Sequence, residues 1–499
     1  MKALVVFLCF FSATPSVAVN GSDITSGRRR RRQFQVPANA NVVSLSSTLP
    51  RGGGVQATAS ASDDDDVRRR RRTLNTLHQS SFLIVVSTTL VGFTPLPALT
   101  RHYLKTSSPD DANGRAVRLL ALLSAASGAS ELVISPLIGT VLDSFGRRAP
   151  SVLLYGLISL ASLGASLRPG LVSICVSRMV NTIVGGFLGI VANTSIADLF
   201  DDDRTSMGGA LARQAAYLSL GFLSGSVVGG RLTTMYEGKV EVIYAASFVL
   251  SLLAVLNVKF RLIDTREFTR EPTERTAFDA NFLRRRLIDA PLASLQLLFS
   301  YGKKMQILAM ILLLQSAPML MGDVFQVFAK EQWGFQPKDF GNLIALFGVL
   351  GIICNISLSP LVQRFGLRCF SLFAIASSML FPITTLFTDT YRYVVVAAVL
   401  GLYGQAQKIG TSAAIAGLAN DLAVPMGKLQ GEKASLLALL KIIVPVMYSS
   451  LYLIGKRWKT MTGTSRVVLI ERTIGQKLPF VMNVLLGALT FMLTWRHIE

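Results

Sequence analysis

The chain has 499 residues, of which 51% are hydrophobic and 16% are charged, and its formal net charge is +21. Soluble proteins carry roughly 25% charged residues, so this composition excludes an ordinary soluble enzyme, and four cysteines are too few for a disulfide scaffold. Basic side chains lie mainly in short connectors between apolar runs, which is typical of a multi-pass membrane protein and argues against a nucleic-acid partner.

Two predicted segments precede the apolar runs. Residues 1–18 combine Lys2, a short apolar stretch and small residues ending at Ala18, which is the pattern of a signal or targeting leader. Residues 19–79 are rich in Arg and Ser, and we predict a disordered arm. Together they resemble the bipartite presequence of algae with secondary plastids; an uncleaved leader and a wrongly assigned start of the chain are the alternatives. The expected location is the plasma membrane or an endomembrane, with a plastid envelope as the alternative.

Twelve apolar runs follow, each close to the roughly 20 residues that a membrane-spanning helix needs. They form two groups of six, residues 80–258 and 305–499. A basic cytoplasmic loop at 259–304 separates the groups, and its end is a candidate interfacial helix. The predicted fold is an all-α membrane protein with twelve transmembrane helices in two pseudo-symmetric six-helix halves. The predicted spans are 80–100, 117–141, 150–167, 171–195, 208–229, 242–258, 305–328, 340–361, 370–387, 393–418, 435–455 and 478–495.

A short internal repeat supports the division into halves. Pro136–Arg148 aligns with Ser357–Arg368 so that Gly146 pairs with Gly366, an offset of 220 residues, and each segment follows the second span of its half. Duplicated halves are typical of secondary transporters.

The distribution of Lys and Arg predicts the orientation, because these residues accumulate on the inner side of membrane proteins. The arm, the loops 142–149 and 362–369, and the central loop are all basic, which places both chain termini on the inner side. The basic connector 456–477 falls on the predicted outer side and does not fit this rule.

The loop after the second predicted span carries the most specific motif of the chain. Its fixed positions are Gly139, Asp143, Gly146, Arg147 and Arg148. The motif resembles the G-x-x-x-D-x-x-G-R-K/R loop signature of the major facilitator superfamily, and the resemblance extends over about residues 80–495. It implies a carrier whose two halves rock around a central cavity. In such a carrier Asp143 supports the conformational switch, and the two arginines hold the loop at the inner headgroups.

Weaker resemblances point to one branch of that superfamily. Glycines in the fifth predicted span allow close helix packing and resemble an antiporter element, although Ser226 replaces its proline and a simple packing face is the alternative. These glycines are Gly221, Gly225, Gly229 and Gly230. Residues 427–431 resemble the start of helix eleven in the tetracycline-efflux and drug:proton antiporter branch.

Ionisable groups at membrane depth are functional candidates, because each costs roughly 2.5–3.5 kcal/mol to insert. Glu131 lies eight residues before Gly139, about 12 Å into the bilayer at about 1.5 Å per residue. Helix one lacks the acid that many members of the resembling branch carry, so we expect Glu131 to couple protons to transport; a structural hydrogen bond is the alternative. The expected substrate-cavity residues are Arg178, Gln405, Gln407, Lys408 and Lys441. Arg213 and Asp323 are placed near span ends, and His78 outside the spans.

No catalytic constellation, metal-ligand cluster or nucleotide-binding loop is evident, so we expect no enzyme activity, no metal and no cofactor. The predicted function is secondary active transport of a small solute by alternating access. The excess of intramembrane cations favours an organic or inorganic anion as the solute. Proton-coupled efflux of drug-like amphipathic compounds and a non-transporting transceptor are the alternatives. The expected partners are the small-molecule substrate, protons and the lipid bilayer, and the expected state is a monomer.

Overall fold

The computed structural model describes residues 55–105, 108–200, 204–236, 239–265, 301–422, 426–461 and 475–497. The predicted leader, residues 19–54 of the arm and residues 266–300 of the central loop lie outside these ranges. The described residues from 63 onward form one compact unit. Residues 55–62, which precede that unit, are described only as the start of the first helix.

The first half of the described chain is helical throughout. Its helices are α1 (Val55–Leu90), α2 (Pro95–Leu104), α3 (Pro109–Phe145), α4 (Arg148–Leu167), α5 (Leu171–Leu199), α6 (Arg204–Met235) and α7 (Val240–Arg261). The helix is interrupted between α1 and α2, and Pro95 is the first residue of α2. Proline is tolerated there because backbone N–H groups in the first helical turn have no acceptor within the helix.

The second half repeats this arrangement with more breaks. Its helices are α8 (Lys303–Ser316), α9 (Gly322–Trp333), α10 (Pro337–Phe387), α11 (Tyr391–Leu400), α12 (Gln407–Asp421), α13 (Met426–Met461) and α14 (Leu478–His497). Short 3₁₀ segments at Ala317–Met321 and Leu402–Ala406 divide the seventh and tenth spans. A 3₁₀ turn departs from the α-helical ladder, so these two spans each consist of two shorter helices.

Ten helical segments among the described residues are long and apolar enough to cross a membrane. The two other predicted spans are also helical. One is α6, which includes Arg213 and Gln214, and the other is the divided pair α11 and α12. The described chain therefore has the all-α architecture that the sequence predicts, with irregularities that hydropathy alone does not reveal.

The prediction of a disordered arm up to residue 79 is wrong for its last part. Helix α1 begins at Val55 and continues without a break into the first span. Asp65 stands four residues before Arg69, a spacing that favours a helix. Thr73 and Thr76 are buried, so the helix packs before the predicted span begins.

Equivalent turns in the two halves have the same unusual backbone. Gly146 after α3 has a φ of 82°, and Gly366 within α10 has a φ of 77°. Only glycine adopts this region without a steric penalty. The two glycines that the sequence repeat aligns therefore make the same kind of turn, which supports the two-fold pseudo-symmetry.

The apolar clusters show where the two halves meet. One cluster joins them at the predicted outer end and includes Leu99 and Leu120 of the first half with Phe328 and Tyr448 of the second. At the predicted inner end, one cluster forms within the first half and another within the second. The described halves are thus packed together on the outer side, which is the arrangement of a carrier closed toward that side.

Candidate functional site

The ion pair between Glu131 and Lys441 connects the two halves within their candidate membrane spans. Lys441 Nζ on α13 lies 2.8 Å from Oε1 and 2.7 Å from Oε2 of Glu131 on α3. The carboxylate side chain is 8% exposed and the lysine 27%. Removing one member of a buried pair leaves an uncompensated charge, at a typical cost of about 3–5 kcal/mol.

Two glycines make room for this pair. A Cβ atom on Gly186 of α5 would lie 2.8 Å from the Glu131 carboxylate, and one on Gly128 of α3 would lie 2.8 Å from Cβ of Lys441. At Gly128 the close atoms are Cβ and backbone of α13, so α3 and α13 pack at a distance that only glycine permits. At Gly186 the close atoms are the end of the Glu131 side chain, so an added Cβ would displace the carboxylate. Neither glycine belongs to a motif that the sequence reveals.

A second ion pair also crosses between the halves. Arg178 Nη2 on α5 lies 3.0 Å from Oδ1 of Asp323 on α9, and Ser124 Oγ is 3.4 Å from Oδ2 of the same carboxylate. The placement of Asp323 near a span end is wrong, because the seventh span extends from Lys303 to Trp333 rather than to residue 328. Its carboxylate therefore lies within the bundle and neutralises Arg178.

These pairs weaken the charge argument for an anionic solute. That argument counts Arg178, Lys408 and Lys441 against Glu131 alone, but the structure pairs Arg178 with Asp323 and Lys441 with Glu131. Lys408 belongs to no ion pair among the described residues. The net positive charge of the described cavity region is thus smaller than the sequence count.

The two glutamines predicted as cavity residues tie the tenth span to its neighbours. Gln405 Nε2 donates to the carbonyl oxygen of Phe347 at 2.9 Å, and Gln407 Nε2 donates to that of Gln315 at 3.2 Å. Gln407 is buried and Gln405 is exposed. Both amides therefore fix the break in this span, and Lys408 lies in the first turn of the helix that follows it.

The motif of the loop after the second span, which ends at Arg147 and Arg148, joins three elements of the first half. Arg147 Nε lies 2.9 Å from Oδ2 of Asp198, and the backbone N–H of Arg147 donates to Oδ1 of Asp264 at 3.2 Å. Arg148 donates to the carbonyl oxygen of Lys259 at the end of α7. Arg147 is buried, so the expectation that it anchors at the lipid headgroups is wrong. Gly139 and Asp143 lie in α3, and their roles stay predictions.

The glycines of the fifth span pack in two directions. Gly221, Gly225 and Gly229 face α1, and a Cβ on any of them would lie within about 3.0 Å of that helix. Gly230 instead faces the second half, where a Cβ would lie 2.6 Å from the carbonyl oxygen of Pro337. The glycine face therefore packs α6 against both its own half and the opposite one.

A cluster around Glu331 lies at the predicted outer end and is absent from the sequence-based site. Its carboxylate accepts hydrogen bonds from four side chains of α3, α13 and the turn before α14. These are Asn113 at 3.1 Å, Tyr452 at 2.6 Å, Lys456 at 2.9 Å and Gln476 at 3.4 Å. Glu331 could have been found as an acid within the seventh span, but the predicted span ended at residue 328 and so excluded it.

His78 lies inside the bundle, so its placement outside the spans is wrong. It is 2% exposed on α1, and its Nδ1 is 2.6 Å from Oε1 of Gln214 on α6. Its ring stacks on Tyr217 at 5.1 Å. The cause of the error is the same as for the arm, because the first span begins earlier than its apolar run.

Comparison with known proteins identifies the family. The sequence profile of the Major Facilitator Superfamily matches residues 80–438. The chain belongs to the Major Facilitator Superfamily. It is therefore a multi-pass secondary transporter and not an enzyme, as the sequence predicts; which membrane it occupies stays a prediction.

Individual relatives have low sequence identity to this chain over long alignments. The chain is 26% identical over 368 residues to "Tetracycline resistance protein, class C" of Escherichia coli, which covers 72% of this chain and 84% of that protein. It is 25% identical over 268 residues to "Multidrug resistance protein 1" of Bacillus subtilis, covering 51% and 61%.

Solved structures confirm the fold alone. The human organic anion transporter MFSD10 (TETRAN) has a TM-score of 0.62 at 16% identity, covering 85% of this chain and 99% of that one. The partially occluded, inward-open xylose transporter XylE from E. coli has a TM-score of 0.59 at 12% identity, covering 87% and 98%.

Proposed function

We propose that this protein exports an amphipathic organic compound in exchange for protons. The similarity to proteins named for tetracycline and multidrug resistance supports this function over the anion carrier that the charge count favoured. The pairing of Arg178 and Lys441 with carboxylates removes much of that count. The motif resemblance to the drug:proton antiporter branch points in the same direction.

The observation that carries the proposal is the Glu131–Lys441 pair. It joins α3 of the first half to α13 of the second, and its carboxylate is nearly buried. A proton on Glu131 removes the negative charge and leaves Lys441 without its partner. Because the pair bridges the halves, protonation at this point changes the free energy of their separation, which is the requirement for coupling.

The proposal assigns one protonation state of Glu131 to each side of the transport cycle. In this scheme Glu131 is deprotonated while it is paired with Lys441 in the outer-closed arrangement. A carboxylate that takes up a proton while the carrier is open outward and releases it while open inward moves protons inward. If the deprotonated carrier reopens to the outside only with the compound bound, each proton that enters is exchanged for exported compound.

The test compares Glu131→Gln with wild type in proteoliposomes, using tetracycline and pyrenebutyrate as probes. Glutamine retains the shape of the side chain but does not titrate, so we expect substrate-for-substrate exchange to continue and accumulation driven by a pH gradient to be lost. Glu241→Gln is the matched control, because Glu241 is an exposed carboxylate at the start of α7.

Two results would contradict the proposal. Full gradient-driven accumulation in Glu131→Gln removes Glu131 from proton coupling and leaves it a structural role. Absence of any transport of either probe by the wild-type protein contradicts export of such compounds, and favours the transceptor or a carrier of other solutes.

A further inference from the structure

Two lysines lie on adjoining helices of the second half, Lys408 on α12 and Lys433 on α13, and neither has a carboxylate partner among the described residues. Lys433 Nζ on α13 donates to Ser412 Oγ on α12 at 2.8 Å. Ser412 lies one helical turn after Lys408, so these two residues share one face of α12. Neither lysine takes part in a described ion pair.

This arrangement differs from that of other basic side chains in the described bundle. Each of five is paired with a carboxylate: Arg147 with Asp198, Arg178 with Asp323, Lys441 with Glu131, Lys456 with Glu331 and Lys477 with Asp389. Unneutralised charge at membrane depth is unfavourable, and adjacent like charges add to the cost. An anionic group placed between Lys408 and Lys433 would relieve both.

The surrounding packing holds the helices that carry the two lysines in position. Leu308 and Leu312 of α8, Ile415 of α12 and Leu436 of α13 form one buried cluster that fixes the three helices relative to one another. The neighbouring Gln407 is anchored on the carbonyl oxygen of Gln315. The backbone positions of the two lysines therefore require little rearrangement when a ligand binds.

The location also suits an anion that enters from the inner side. Lys408 stands in the first turn of α12, whose N-terminal backbone amides favour negative charge. Both lysines are half-buried. They lie toward the predicted inner side, where the described apolar clusters form within each half and not between the halves.

We propose that Lys408, Lys433 and the Ser412 hydroxyl bind the acidic group, a carboxylate or enolate, of an amphipathic organic cargo. This assignment rests on the proposed export function and names the chemical class of its substrate. A flexible ammonium pair with one hydroxyl binds a compact anion through charge-assisted hydrogen bonds.

The test measures binding to the full-length protein in phosphatidylcholine nanodiscs, with empty nanodiscs subtracted. The probes are pyrenebutyrate and pyrenebutanol, which share an apolar body and differ in the carboxylate. We expect wild type to bind the carboxylate probe at least tenfold more tightly. Lys408→Gln and Lys433→Gln should abolish that preference, Lys408→Arg should retain it, and Lys304→Gln, an exposed lysine on the same side, should behave as wild type.

The wild-type measurement decides the matter even where a glutamine variant does not fold. Equal affinity of wild type for the two probes overturns the proposal, as does a preference that survives in both glutamine variants. Loss of the wild-type preference when phosphatidylglycerol is added would assign the lysines to a lipid phosphate and overturn the cargo assignment.

The outcome is separable from that of the proposed function. Binding is measured without a proton gradient, so the measurement tests the anion site independently of proton coupling. Glu131→Gln should retain the preference for pyrenebutyrate. A preference in wild type combined with no gradient-driven accumulation of any probe would support the anion site and contradict proton-coupled export.

Discussion

The hydrogen bond from Asn113 to Glu331 offers a direct test of how the outer side is held closed. Of the four described donors to this carboxylate, only Asn113 belongs to the first half of the chain. Asn113→Ala therefore removes the donor that crosses between the halves and leaves Tyr452 and Lys456 in place. We expect the outer side to open more often.

The magnitude follows from the chemistry of the bond. A hydrogen bond to a charged group contributes roughly 1.5–3 kcal/mol, and the length of 3.1 Å with a carboxylate side chain that is 15% exposed favours the lower end. Every 1.4 kcal/mol is tenfold in an equilibrium constant. An outward-open state populated at about 1–10% should therefore rise to about 10–50%.

The assay is a spin-label distance across the outer opening. Labels on cysteines at Leu104 and Tyr393, both exposed at the outer ends of their helices, report the separation of the halves once the native cysteines are replaced. Asn113→Ala should increase the population at long distance in double electron–electron resonance.

The control removes an equivalent bond within one half. Gln332 donates to Asp389 Oδ1, also at 3.1 Å and also on the outer side, and both residues belong to the second half. Gln332→Ala should leave the distance distribution unchanged. If the two variants give the same distribution as each other, the bond from Asn113 does not hold the outer side closed and the reasoning fails.

Two further predictions follow from packing and from charge. Gly186→Ala should abolish gradient-driven accumulation as Glu131→Gln does, because its Cβ would lie 2.8 Å from the Glu131 carboxylate. Gly185→Ala is the control and should transport normally, because a Cβ there would have no atom within 4 Å. Normal accumulation by both variants would contradict the importance of the contact with Glu131. Glycosylation tags in the loop 101–115 should be modified when the protein is made in the endoplasmic reticulum and tags in 265–280 should not, and the reverse pattern would invert the orientation.

The fold was predictable because its signals are local in the sequence. Apolar runs of spanning length, a loop motif with five fixed positions and a repeat at a constant offset can each be read without knowing which helices touch. Gly146 and Gly366 illustrate this, since the aligned glycines make turns with φ values of 82° and 77°. The breaks at Ala317–Met321 and Leu402–Ala406 were missed, because hydropathy does not distinguish a 3₁₀ turn from an α-helix.

The pairing of charges was not predictable, because it depends on which helix faces pack together. Glu131 and Lys441 are 310 residues apart and Arg178 and Asp323 are 145 apart. Sequence reasoning identified three of these four residues as candidates but treated the cations as an unbalanced excess. It placed Asp323 at a span end because the apolar run was drawn too short, and without that carboxylate Arg178 had no evident partner.

The described charges separate into those that stay together and those that must part when a carrier alternates. Arg147 and Asp198 both belong to the first half, so that pair can persist through the cycle, whereas Glu131 and Lys441 belong to different halves. Lys433 and Lys441 lie on the same helix, eight residues and therefore about 12 Å apart. An acidic cargo at Lys433 and the carboxylate of Glu131 would thus act on the positive charge of a single helix, α13. Movement of α13 would therefore couple binding of the cargo at Lys433 to protonation of Glu131, and obligatory exchange requires such a coupling.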